Sequence, residues 1–288
     1  MVDSASPSGS GRKLFFGLFI FPLVIAVGMA VLLCTVVLLT REEETPESLI
    51  TAIKTGAPSK RWQKAFELSN EINLGRGMLR SGGVMKEVIH ILTTPSEYDG
   101  RTRSYMALAL GRFEDPEAVN ALREALAGEQ DPDVQIYLLW ALGLRRDTQS
   151  TDNVVEFLSR PQAEIRKTAA YVLGVLGQPE ISIPALEPLL KDAVSDVRWN
   201  AALALARLGS AAGYDELLRM ADRRSVSTIE GMDEARSEEI VSSAVKGLGL
   251  LKKPESLALL KDLSRTDPSL KVRQAALEAL QFFKEQAA

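Results

Sequence analysis

The sequence predicts an all-α protein in which one membrane-length apolar helix precedes a solenoid of stacked helix pairs. Three observations predict it. Leu14 to Thr40 is a long apolar run without a single charge. A leucine near the end of an apolar helical stretch recurs at Leu68, Leu110, Leu142, Leu173, Leu205, Leu248 and Leu280, with a near-constant period that lengthens only before Leu110 and before Leu248. Beyond the leucine the chain breaks and a second apolar helix follows, as in PEAVNALREALAG and PESLALLKDLSR. One such pair cannot bury its own apolar face, so pairs must stack, and about five to seven of them are expected.

Taken in order, residues 1–13 read MVDSASPSGSGRK, a Ser/Gly/Pro-rich tail expected to be disordered. Residues 14–40 form the transmembrane helix: at about 1.5 Å per residue, the run is about 40 Å long and spans a bilayer with tilt to spare. A cleaved signal peptide would carry a shorter apolar region ending in small residues, so the segment reads as an uncleaved single-pass anchor with Cys34 buried in it as a small apolar residue. Arg12 and Lys13 outweigh the sparse cations after the span, which places the N-terminus in the cytoplasm. The bulk of the chain would then lie outside the cytoplasmic (inner) membrane, in the periplasm of a double-membraned bacterium. Residues 41–58 are expected to be a linker and a first helix, and residues 59–288 the solenoid.

Within the solenoid, one helical face is specified again and again. Eight positions before the leucine the chain has Thr102, Val134, Ile165, Val197, Ile240 and Val272, and Lys60 in the first copy. Directly before the leucine it has small or branched residues, from Ala109 to Ala279, in every copy but the first, which has Glu67. Seven before stand Arg61, Arg103, Gln135, Arg166, Arg198, Val241 and Arg273, an arginine series with two interruptions. Nine before stand Asp133, Glu164, Asp196 and Glu239, where a carboxylate near a helix start can accept backbone N–H groups and oppose the helix dipole. The recurrence of these acids in register with the arginines predicts a structural ladder over an anion-binding strip: Arg103, Arg166, Arg198 and Arg273 bridge a carboxylate or carbonyl of the next repeat. RKTAAYVLGVLG predicts close helix packing at Gly174 and a left-handed helix end at Gly177.

DVRWNAALALARLG and EIRKTAAYVLGVLG resemble the HEAT-like repeat of phycobilisome lyases: an acid, an apolar residue and arginine, then AAxALGxLG, then a helix ending in LLxD. The resemblance runs over residues 101–284 and is faint over 59–93. It implies an α-solenoid of HEAT-like helix pairs, scaffolding contacts between proteins, and it implies that the second helices line the concave side. Asn120, Arg123, Glu124, Asn153, Glu156, Glu187, Glu216, Arg219 and Lys261 would then form a mixed-charge groove for a protein partner. Two insertions break the period, GRGMLRSGG at 75–83 and the longer 222–239, and either can make a binding surface.

Composition narrows the chemistry. The net charge is -4, and Arg12 and Lys13 against Asp3 precede residue 41, leaving 32 basic and 37 acidic residues beyond it. That surplus opposes nucleic-acid binding. One cysteine and one histidine, His90 in an apolar helical run, cannot assemble a zinc site or a disulfide, and no catalytic motif occurs. The expected function is a non-enzymatic membrane-anchored scaffold or adaptor, without cofactor or metal. An accessory of the phycobilisome-lyase type, acting in chromophore or protein modification, is the alternative that the resemblance implies.

Overall fold

The computed structural model describes residues 16–39, 45–75 and 82–285. The 1–13 tail, the orienting Arg12, Lys13 and Arg41, and most of the 75–83 insertion lie outside the described residues. All described secondary structure is helical. The chain divides into two units, Met1–Thr45 and Pro46–Ala288.

In the first unit a π-helical turn, Phe16–Ile20, leads into α1, Phe21–Leu39. The 20 residues Gly17–Val36 have a mean hydropathy of 2.7 and no burial inside the protein, so this helix is long and apolar enough to cross a membrane. Thr35 returns its hydroxyl to the Val31 carbonyl at 2.7 Å, so the helix satisfies this polar group itself. Cys34 is exposed on the helix surface, with no protein packed over it.

The second unit holds two rows of helices. The first helices of the pairs are α3 (Pro58–Asn73), α5 (Gly100–Leu110), α7 (Pro132–Arg145), α9 (Ala163–Leu176), α11 (Ser195–Arg207), α14 (Glu234–Leu251) and α16 (Leu270–Glu285). Each packs on the next in that order. The second helices are α4 (Gly82–Thr93), α6 (Pro116–Gly128), α8 (Thr151–Glu156), α10 (Pro179–Leu186), α12 (Tyr214–Ala221) and α15 (Leu257–Thr266); α8 and α10 each run on into a 3-10 turn. Among the described residues, six pairs and a closing helix result. Ahead of them α2 (Pro46–Thr55) covers α3 and α4, and α13 (Arg223–Ser227) lies in the longer insertion. The faint copy at 59–93 forms the pair α3/α4, stacked like the others.

Six recurring leucines, Leu68, Leu110, Leu142, Leu173, Leu205 and Leu248, are 0% exposed. Each contributes roughly 2 kcal/mol by burial, which is why the period persists. Leu280, on the last described helix, has no further described helix stacked on it and stays half-buried. Small residues set how closely the first helices approach. A Cβ on Gly174 would lie 2.7 Å from both Cα and Cβ of Ala204, and one on Gly249 would lie 2.7 Å from the Ala279 Cβ. Gly111 against Ala141 repeats the contact at 3.1 Å. The residue after one leucine thus meets the residue before the next. Ala206 replaces glycine in this position on α11, where packing against α14 is less extensive. The core divides there too: Val197, Ala201 and Leu205 belong to the N-terminal cluster, and Trp199, Ala202 and Ala206 to the C-terminal one.

Four helix ends share one register, at the fourth position past the leucine. Gly177 and Gly209 there have φ of 74° and 79°, while Arg146 and Lys252 adopt the same left-handed conformation at 49° and 50°. The helix starts correct one expectation. Asp133, Glu164 and Asp196 stand at the second helical position and Glu239 at the sixth of α14, and none accepts a backbone N–H among the described residues. A capping residue lies before the first helical residue with extended backbone, and Asp99, Asp115, Asp131 and Asp233 occupy those places.

Candidate protein-contact surface

The arginine series faces the loops between repeats. Arg166 Nη1 donates to the carbonyls of Arg160 and Pro161 at 2.8 and 2.7 Å, in the loop just before its own helix. Arg198 does the same to Asp192 and Ala193 at 2.7 and 3.1 Å, and Arg273 to Asp267 and Pro268 at 2.6 and 3.1 Å. Gln135, in the arginine register, keeps half of this role with one bond to the Glu129 carbonyl at 2.7 Å. Each of these side chains ties the start of its own helix to the loop entering it.

The carboxylate partners are not the acids in register with the arginines. Residues two apart on a helix point to different sides, so Asp133, Glu164, Asp196 and Glu239 cannot reach them. Arg103 pairs instead with Glu129, and Arg166 holds Asp192 through Nε and Nη2 at 2.8 and 3.0 Å, in both cases at a sequence separation of 26. The acid ends the second helix of the same repeat, and Asp192 also accepts the Val194 N–H at 2.9 Å, bracing the turn. That hydrogen-bonded guanidinium holds the Asp192 carboxyl below the ordinary carboxylate range. Val241 leaves the corresponding acid, Asp267, without its arginine, and Arg223 of the insertion supplies one at 2.8 Å. The in-register acids serve elsewhere: Asp196 takes Arg236 at 2.8 Å, Glu239 takes Lys271 at 3.7 Å and Glu164 takes Lys167 at 2.5 Å. Glu129, Asp192 and Asp267 stand at one offset from Leu110, Leu173 and Leu248, and Arg103 and Arg166 precede the first two by 26 residues, so these acids left a trace in the sequence, whereas Arg223 left none.

Of the nine candidate contact residues, Asn120, Glu124, Asn153, Glu156, Glu187, Arg219 and Lys261 are exposed. Asn120 and Arg123 are knit together at 2.8 Å, and Arg123 is further held by Gln149 at 3.0 Å and Asp147 at 3.3 Å. Glu216 is buried at 4% exposure, so it is not a surface group. It accepts from Arg198 at 3.4 Å and from Arg219 at 2.8 Å. Glu124, Glu156 and Glu187 stand at one and the same offset from Leu110, Leu142 and Leu173, in three consecutive repeats. None of the three forms an ion pair among the described residues. This row was present in the sequence but is visible only once the second helices are aligned on the leucines.

Aromatic residues bridge the first helices. Tyr105 lies edge-on to Phe66 at 5.3 Å and to Tyr137 at 6.0 Å, and Trp140 meets Tyr171 at 4.8 Å. Arg101 covers Trp62 at 3.4 Å and Trp199 is buried, so the tryptophans of shared register pack within the solenoid. His90 lies on α4 with Tyr98 edge-on at 6.3 Å.

A row of helix pairs braced by loop-facing arginines and close glycine contacts defines a helical-repeat α-solenoid. The model for HEAT repeats matches residues 85–163, 122–206, 151–231 and 211–281, and the chain belongs to that family. No curated protein matches the chain. Among solved structures it is similar to the complex of CpcE and CpcF of phycocyanin lyase from Nostoc sp. PCC7120, with 18% identity, a TM-score of 0.56, and coverage of 85% of this chain and 96% of that one. It is also similar to the HEAT-like repeats protein of the archaeon Thermococcus onnurineus NA1, at 13% identity and a TM-score of 0.44 over 86% of this chain and 100% of that one.

Proposed function

We propose that the protein is a non-enzymatic interaction scaffold, tethered at a membrane by Gly17–Val36, whose second-helix row receives a basic segment of a partner protein. The observation that carries this is the row Glu124, Glu156 and Glu187: three exposed carboxylates in one register of the second helices of consecutive repeats, without ion-pair partners among the described residues. Packed helices stand about 8–10 Å apart, and an extended chain rises about 3.1–3.4 Å per residue. One repeat therefore matches about three positions of an extended partner, and Lys or Arg at every third position would meet the three carboxylates in turn. The likeness to the phycocyanin lyase subunits, at 18% identity, is one of fold and gives the lyase-accessory alternative no further support.

The test uses the full chain in nonionic detergent and a fluorescent peptide with lysine at every third position. Binding is expected to weaken with salt and to fall at least about tenfold when Glu124, Glu156 and Glu187 are all replaced by lysine. A peptide of the same composition with adjacent lysines is expected to bind less well. Equal binding by the wild-type chain and the triple variant would remove the second-helix row as the contact surface. Separately, a chain lacking Gly17–Val36 should leave the membrane fraction of cells expressing it, and its retention there would remove the tether.

A further inference from the structure

A cavity of about 400 Å³ lies where the N-terminal and C-terminal cores meet, walled by Trp199 of α11, Glu216 and Arg219 of α12, and Val226 and Ile229 of the insertion. The insertion is held in place from both sides. Arg223 is tied to Asp267, while Val226, at 2% exposure, and Ile229 pack into the C-terminal core. Asp222 turns its carboxylate back to cap α13, accepting from Arg224 N at 3.1 Å and Ser225 Oγ at 2.6 Å.

The polar wall is unevenly charged. Glu216 is the one carboxylate in the lining, and it faces two guanidiniums, Arg198 and Arg219. Arg198 spends its remaining donors on the carbonyls of Asp192 and Ala193 and on Ser195 Oγ. Arg219 binds Glu216 through Nε and Nη2, and its side chain is 64% exposed, with Nη1 making no bond among the described residues. One positive charge is left over beside an apolar recess.

We infer that this cavity binds the C-terminal residue of a partner polypeptide, its apolar side chain against Trp199, Val226 and Ile229 and its α-carboxylate on Arg219. A cavity of this size suits one large side chain and a small polar group. An internal Asp or Glu next to an apolar residue would put its carboxylate and the apolar group on different side chains that diverge. Only a C-terminal residue carries an apolar side chain and a carboxylate on one Cα, and planar guanidinium donors fit that carboxylate. The inference rests on the reading of the chain as a protein binder, at a site separate from the acidic row.

The experiment uses the full chain in nonionic detergent with Trp62→Phe and Trp140→Phe, so that Trp199 is the remaining tryptophan of three. Its emission is followed as N-acetyl-glycyl-leucine, the C-terminal amide of that peptide, or N-acetyl-glycyl-glycine is added. The leucine acid is expected to give a saturable change, with the amide and the glycine acid each at least about tenfold weaker. Arg219→Gln, at an exposed position and checked for unchanged helicity, is expected to lose the preference for acid over amide. The Glu124, Glu156 and Glu187 triple variant is expected to bind the peptide as before, so the two sites fail separately. Equal binding of acid and amide, equal binding of the leucine and glycine acids, no saturable change with any peptide, or an unaltered preference in Arg219→Gln would each overturn the inference.

Discussion

Arg223 Nη2 lies 2.8 Å from Asp267 Oδ1, closing across a sequence separation of 44 the rung that Val241 leaves without an arginine. The Asp267 side chain is 3% exposed and that of Arg223 24% exposed, so the pair is shielded from water on the acid's side. Asp267 also accepts the Ser269 N–H at 2.9 Å, as Asp192 accepts that of Val194. The insertion therefore completes the last pair of the solenoid as well as walling a cavity.

Arg223→Met is expected to destabilise the chain by about 2–4 kcal/mol, because a buried carboxylate loses its charged partner. Val241→Arg in that background places a guanidinium in the register used by Arg103 and Arg166, and is expected to recover at least half of the loss. Urea denaturation of the single and double variants measures both. Failure of the second substitution to recover any stability would mean that Arg223 acts through packing of the insertion and not through the rung.

Gly174→Ala puts a methyl 2.7 Å from the Ala204 Cα, which is backbone and cannot turn aside. The expected cost is about 1–3 kcal/mol. Gly128→Ala is the matched control: no atom lies within 4 Å of the added methyl at the end of α6, and the change should be neutral or slightly stabilising. Thermal unfolding of the two variants should differ by several degrees.

Arg146 and Lys252 hold the left-handed conformation that Gly177 and Gly209 adopt in the same register. Replacing either with glycine is expected to stabilise the chain by up to about 1 kcal/mol, since the side chain that strains the backbone is removed. Gly177→Ala should cost a similar amount. Melting temperatures that move the other way would show that the side chains of Arg146 and Lys252 contribute contacts exceeding the strain.

Asp192 titrates below its ordinary value of 3.8, chiefly because Arg166 hydrogen-bonds its carboxylate. A depressed folded-state value means that the pair's stabilisation is complete above the unfolded-state value, near about pH 4, and is lost as pH falls through the folded-state value. Asp222, lowered chiefly by the Ser225 hydroxyl, acts in the same direction. Asp192→Asn should therefore lower stability at neutral pH and flatten its fall below about pH 4. An unchanged acid limb in equilibrium unfolding would show that Asp192 is not among the groups that set it.

The repeat, the helical face and the close-packed glycines were legible in the chain because each depends on local chemistry. A helix that must bury Leu110 or Leu173 needs the same apolar and small residues at the same offsets in every copy, and Gly177 marks a turn whose backbone few other residues adopt without strain. Even the apolar span from Gly17 to Val36 is a matter of length and composition. Who pairs with whom was decided in three dimensions. The acids nearest the arginines in sequence point away around the helix, and the partners arrive from the far end of the same repeat or, at Asp267, from the earlier insertion that carries Arg223. Glu216 shows the same limit, since its helical spacing fits a surface position while the fold buries it between Arg198 and Arg219. Burial of a helical face is set by near neighbours along the chain, whereas an ion pair is set by which distant loops the stacking brings within reach.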